Sequence, residues 1–128
     1  IAANVLLFQP NEKLHFSFLS KYVGKQFMGN TDSQVSKLDS YFVNDFNVFY
    51  ELSFPRPDNY REQESTFFKS ILISGLINNI FNTKYVSNGY YFTYDDTWSV
   101  PGETTTIEGA GYYPQATTNF LLGLTLKF

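Results

Sequence analysis

The sequence predicts an all-β chain, an antiparallel up-and-down meander of about five strands, and three observations carry that expectation. In the last nine residues, Phe120, Leu122, Leu124, Leu126 and Phe128 fall on one parity, with Leu121, Gly123, Thr125 and Lys127 on the other. A strand points alternate side chains to opposite faces, so this segment has one apolar face and one that is mostly small or polar. The apolar runs elsewhere, around residues 5–8 and 71–76, are strand-length and far short of the ~18 residues a membrane-spanning helix needs. Clusters of turn-forming residues then divide the chain into strand-sized pieces, joined by connections that alternate between short and long.

The first segment, residues 2–8, is apolar with poor alternation, and Pro10, Asn11, Glu12 and Lys13 read as a tight turn after it. Residues 14–24 alternate well, with Leu14, Phe16, Phe18 and Tyr22 set against His15, Ser17 and Lys21. Residues 25–40 are polar and rich in Gly, Asn, Asp and Ser, and read as a loop longer than most hairpin connections. Residues 41–52 place Phe42, Phe46, Val48, Tyr50 and Leu52 on one face and Tyr41, Asp45, Asn47 and Glu51 on the other. A second turn region, residues 53–65, contains Pro55, Pro57 and Asp58. Residues 66–78 set Phe67, Ile71, Ile73 and Ile77 against Ser70, Ser74 and Asn78. A long loop is expected over residues 86–115, crowded with Tyr, Gly, Asp and Thr, before the final strand at 116–128.

The dimensions of that final strand suit a membrane. Nine residues at about 3.3 Å each span roughly 30 Å, which a tilt near 40° shortens to about 23 Å, close to the ~25 Å apolar band of an outer-membrane barrel. Charged residues make up only 16% of the chain and aromatics 20%, as expected where aromatic girdles flank a lipid-facing band. Mean hydropathy of -0.23 argues against a helical membrane protein. If the final strand runs down to the periplasm, the loops at 25–40 and 86–115 face outside and the turns near Pro10 and Pro55 face the periplasm. Barrels of this kind have short periplasmic turns and long external loops, and the orientation that follows from the strand count alone puts the long loops outside. Five strands do not close a barrel, and Ile1 opens the chain without an initiator Met or signal peptide, so a C-terminal piece of a longer polypeptide is expected.

The residues also carry a family likeness. Asn78-Asn79-Ile80-Phe81-Asn82-Thr83-Lys84-Tyr85 resembles a segment near the end of TonB-dependent outer-membrane receptors, with Ile80 where Leu is usual. Tyr112-Tyr113-Pro114-Gln115-Ala116, followed by Asn119-Phe120 and by Leu124-Thr125-Leu126-Lys127-Phe128, resembles the family's terminal strand. Tyr22-Val23-Gly24-Lys25-Gln26 and the segment from Leu38 to Asp45 are similar to its preceding strands. The resemblance implies the last strands of a 22-stranded transmembrane barrel in the outer membrane of a Gram-negative bacterium, whose plug domain and energy-coupling box lie upstream. It implies import of a scarce nutrient (an iron–siderophore, haem, cobalamin or a glycan), driven through TonB. It also makes Phe120, Leu122, Gly123, Leu124, Leu126 and Phe128 the signal strand read by the barrel-assembly machinery. The alternative reading is a soluble all-β binding or adhesin-like module, whose alternating strands would turn their apolar face to a core.

The residues themselves exclude several kinds of chemistry. A net charge of -3 leaves no basic surface for nucleic acid. There is no cysteine and His15 is the only histidine, so the usual zinc site cannot be built. Asp95 and Asp96 lack the alternating acidic ligands of a calcium loop. Gly109-Ala110-Gly111-Tyr112-Tyr113-Pro114 starts like a dinucleotide fingerprint but has Pro where the third Gly belongs. Asp45 and Glu51 are separated by roughly 20 Å along a strand, too far for a glycosidase pair. No enzyme, cofactor or metal is expected. The candidate ligand contacts are Tyr90, Tyr91, Tyr94 and Trp98 in the long loop, where Tyr and Trp supply rigid contact area, beside Asp95 and Asp96.

Overall fold

A computed structural model describes residues 1–54 and 69–128. The alternating segments all form strands, and together they make one antiparallel sheet. β1 (Ala2–Asn11) and β2 (Leu14–Val23) are joined through Glu12 and Lys13, where the Lys13 amide donates to Asn11 Oδ1 at 2.9 Å. Pro10 lies at a register irregularity between Phe8 and Asn11, in a strand with a single neighbour among the described residues, so its missing N–H costs no ladder bond to β2. Between β2 and the next long strand come two-residue strands β3 (Gln26–Phe27) and β4 (Lys37–Leu38), paired with each other, and a 3-10 turn over Gln34–Ser36. β5 (Tyr41–Ser53) and β6 (Ser70–Asn78) continue the sheet. The expected turn at 53–65 and the first residues of the segment at 66–78 fall largely within residues 55–68, outside the described residues.

Residues 86–115 depart from expectation. They are not an irregular loop but a long antiparallel hairpin, β7 (Val86–Asp96) with β8 (Thr105–Pro114), which forms a sheet of its own. The chain then enters β9 (Asn119–Lys127), which pairs directly with β6 in continuous register from Asn78↔Asn119 to Ser70↔Lys127. The main sheet is therefore ordered β1-β2-β5-β6-β9, an up-and-down meander with β1 and β9 at its edges. Apart from the 3-10 turn, no helix occurs among the described residues.

Register aligns the apolar parities of all five strands. Phe8 pairs with Phe16, Phe16 with Val48, Phe18 with Phe46, Tyr50 with Ile73, Phe46 with Ile77 and Ile77 with Phe120. Directly opposed residues of an antiparallel pair share a face, so Leu6, Phe8, Phe16, Phe18, Phe46, Val48, Ile71, Ile73, Leu122 and Leu124 lie on one continuous surface. Phe8, Phe16 and Phe46 stack across three strands, with centroids 6.3 and 5.9 Å apart. Asp45, Asn47, Thr125 and Asn119 share the opposite face, which is mixed, since it also carries Leu19, Phe49, Leu72 and Leu121.

Nothing described covers the apolar surface. Phe120 and Leu122 are 76% and 79% exposed, Ile73, Leu124 and Leu126 are also exposed, and Phe16, Phe18, Phe46, Val48 and Ile71 are half-buried. Val23, Leu38 and Val43 are the buried apolar residues among those described, and they cluster toward one end of the sheet. A soluble monomer rarely leaves a contiguous apolar patch on this scale open to water.

Candidate functional site

Two structures stand at the end of the sheet that carries the long connections. The first is a knot around Asn79, immediately after β6. Asn79 is buried and adopts a positive φ of 51°, a conformation Asn tolerates better than most residues. Its backbone N–H donates to Asp45 Oδ1 at 2.8 Å, and its side-chain amide donates to the Thr83 and Ala116 carbonyls at 2.8 and 3.4 Å. Its Oδ1 accepts from the Thr83 N–H at 2.8 Å and its carbonyl from Thr118 Oγ1 at 2.7 Å. Thr83 precedes the hairpin and Ala116 follows it, so one side chain ties both roots of the β7–β8 hairpin to the sheet. Asn82, also at positive φ, closes the turn. The Asn-Ile-Phe-Asn-Thr segment singled out in the sequence is thus the anchor of the hairpin.

Beside the knot, on the mixed face, is a polar cleft of about 360 Å³ lined by Lys21, Asp45, Asn78, Asn119, Tyr41 and Tyr85. Tyr41 and Tyr85 stack with centroids 4.3 Å apart, and Asn78 donates to Asn119 Oδ1 at 2.8 Å. Burial, followed by the neighbouring Tyr41 and Asp45, pushes the Tyr85 hydroxyl above the usual tyrosine range, so it stays a neutral donor.

The second structure is the hairpin itself, and it separates the residues the sequence groups together. Tyr90, Phe92 and Tyr94 point to one face of β7, while Tyr91 points to the other. Tyr91 donates its hydroxyl to Glu108 Oε1 at 2.7 Å, and Ser33 donates to Glu108 Oε2 at 2.6 Å. Tyr112 donates to the Val35 carbonyl at 3.0 Å. That face is therefore seated on residues 28–36, and Tyr91 is a packing residue there. The hydrogen bonds from Ser33 and then Tyr91 hold the Glu108 carboxyl below the usual glutamate range. At the tip, Asp96 accepts from the Trp98 and Ser99 amides at 2.9 and 3.2 Å and from the Ser99 hydroxyl, which lowers its own carboxyl pKa, the Ser99 hydroxyl contributing most. This Asx turn leaves Trp98 89% exposed.

On the opposite face Tyr90, Phe92 and Tyr94 form a row, with centroids 6.2 and 6.5 Å apart and planes within 22° and 13° of parallel. Tyr113 joins at 6.1 Å from Tyr90. Across the ladder, Tyr90 pairs with Gly111 and Phe92 with Gly109, and a Cβ at either glycine would run into the ring opposite. For Gly109 the three nearest Phe92 atoms, Cζ, Cε1 and Cε2, would be nearly equidistant, which places the face of the ring over the glycine. Phe92, Tyr113, Gly109 and Gly111 are not among the candidate ligand contacts expected from sequence, where the glycines enter only as an incomplete dinucleotide fingerprint and Tyr113 only in the family likeness.

The remaining expected residues sit as follows. Phe120, Leu122, Leu124 and Leu126 lie on the apolar face of β9, Gly123 on the mixed face opposite Ser74, and Phe128 just beyond the strand, exposed. His15 lies on the mixed face of β2, its ring 3.3 Å from the Glu12 carbonyl. No cluster of three metal-ligating side chains occurs among the described residues. Comparisons with protein-family models, curated proteins and solved structures find no match to this chain.

Proposed function

We propose that this chain is barrel wall from the C-terminal end of a TonB-dependent outer-membrane receptor, a nutrient importer, with the β7–β8 hairpin on the external side. The observation that carries the reading is the single apolar surface, in register across five strands and uncovered among the described residues. Its dimensions support it. Tyr22 and Phe42 pair at one end and Leu14 and Tyr50 at the other, eight residues apart, which is about 27 Å along a strand and about 21 Å after a 40° tilt. Tyr22, Phe42 and Tyr50 put aromatic rings at both ends of this span, as a lipid bilayer selects at its two interfaces; Phe16, Phe18 and Phe46 lie between them, and the hydrogen-bonded Ser20–Asn44 pair interrupts the apolar face next to the Tyr22 end.

Under this reading Phe16, Phe18, Phe46, Val48, Ile71, Ile73, Phe120, Leu122, Leu124 and Leu126 meet lipid, and Asp45, Asn47, Thr125 and Asn119 face the lumen. The edges of β1 and β9 pair with further strands of a closed barrel, because an open edge in hydrocarbon leaves unsatisfied backbone groups. The apolar parity of β9, with Phe120, Leu122, Leu124 and Leu126, is the part of the chain that the family resemblance makes the assembly signal. A soluble module would need a second layer over the apolar face, and the described residues supply none. Fractionating a Gram-negative host that expresses the full-length protein tests the reading. It should enter the outer-membrane fraction, need detergent for release, and migrate differently on electrophoresis before and after heating. Recovery in the soluble fraction without detergent would overturn it.

A further inference from the structure

We infer that the free face of the β7–β8 hairpin is a binding platform for a neutral, linear glycan. The inference rests on the receptor reading, to which it adds the substrate class.

The platform is built rather than incidental. Glycine weakens a strand, yet Gly109 and Gly111 occupy successive positions on this face of β8, each under a ring of β7. Any side chain there would lift Phe92 and Tyr90 off the sheet. With glycine the rings lie face-down, so their other faces turn outward, and Tyr90, Phe92 and Tyr94 are 52%, 47% and 53% exposed. Three near-parallel rings at 6.2 and 6.5 Å make a strip that is flat, narrow and several rings long, with Tyr113 extending it at one end. The aliphatic C–H face of a sugar ring stacks on such a surface, and successive sugars of a linear chain meet successive rings. Tyr hydroxyls and Asn88, Asp96 and Thr105, on the same face by register, border the strip with donors and acceptors for sugar hydroxyls.

Charge selects among flat ligands. Between residues 85 and 114 the chain carries Asp95, Asp96, Glu103 and Glu108 and no Lys or Arg; Asp96 lies on the platform face, and Asp95 and Glu108 on the opposite face of the same thin hairpin. That field repels carboxylates and phosphates, which disfavours haem propionates, anionic siderophores, acidic polysaccharides and the phosphate-rich outer leaflet. An uncharged polyhydroxylated chain pays no such penalty. A compact ligand would also leave most of an elongated strip unused.

The test uses the full-length protein in detergent, titrated calorimetrically with maltohexaose, cellohexaose and mannohexaose, and with a polygalacturonate oligomer and haem as anionic probes. At least one neutral hexasaccharide should bind, and its trisaccharide more weakly. Combined Tyr90→Ala, Phe92→Ala and Tyr94→Ala substitutions should weaken binding more than ten-fold, and Gly109→Val alone should weaken it measurably by displacing Phe92. Thr93→Ala, on the opposite face, should leave it unchanged. Heat-modifiable migration of each variant reports folding separately. Absence of binding by all three neutral probes, survival of binding in the triple variant, or tighter binding of an anionic probe would overturn the platform. Outer-membrane location without glycan binding would sink this inference alone, whereas glycan binding by a soluble protein would sink the receptor reading and leave the platform standing.

Discussion

Asn79 shows how much organisation one side chain can carry. Replacing it with Ala removes its amide bonds to Thr83 and Ala116, strands the Thr83 N–H, and puts a poorly suited residue at positive φ. At about 1 kcal/mol per hydrogen bond, plus about 1 kcal/mol for the left-handed backbone, Asn79→Ala should destabilise the protein by roughly 2–4 kcal/mol in urea unfolding from lipid vesicles. Asn79→Gly should recover only the backbone share. A loss under 1 kcal/mol for Asn79→Ala would mean the knot is ornamental. The motif containing Asn79 was legible as a family likeness, but its hydrogen bonds were not, because they join residues up to 39 positions apart. The split between Tyr90 and Tyr91 is legible in principle, since adjacent strand residues face opposite ways, but only if residues 86–96 are a strand, which their turn-forming composition disguises.

The strands of the main sheet were legible for a physical reason. Each carries one apolar face, so the period of two is written in aliphatic and aromatic residues from Leu14 to Tyr22, Phe42 to Leu52 and Phe120 to Leu126, broken only at the paired Ser20 and Asn44. The β7–β8 hairpin has no such contrast. It seats one face on residues 28–36 and leaves the other open, so aromatics occur on both parities, and its strand glycines imitate turn formers. The contact between the hairpin and residues 28–36 should respond to acid. The Glu108 carboxyl sits below its ordinary value near 4.5 because Ser33 and Tyr91 donate to it, so the contact is fully held above that value and is lost as pH falls through the lower folded-state value. The protection factors of the Met28 and Ser36 amides, that is their exchange relative to the intrinsic rate at each pH, should therefore fall below about pH 4.5, and Glu108→Gln should show reduced protection already at neutral pH. Protection that is flat with pH and unchanged in the variant would remove Glu108 from that role.

At the scale of the molecule, the main sheet among the described residues is a curtain of five strands with its apolar parities aligned on one face, and the account depends on what that face touches. No cysteine occurs in these 128 residues, so single cysteines can be placed at 120–126 in a full-length protein freed of any others. The decisive measurement attaches an environment-sensitive fluorophore at each position in protein folded into vesicles, and compares quenching by brominated acyl chains with quenching by aqueous iodide. The expected result is strict alternation: positions 120, 122, 124 and 126 quenched by the brominated lipid, and 121, 123 and 125 shielded from it and reached by iodide through the lumen. Even-numbered positions shielded from both quenchers would place this face in a protein core, and the membrane-wall account would fail.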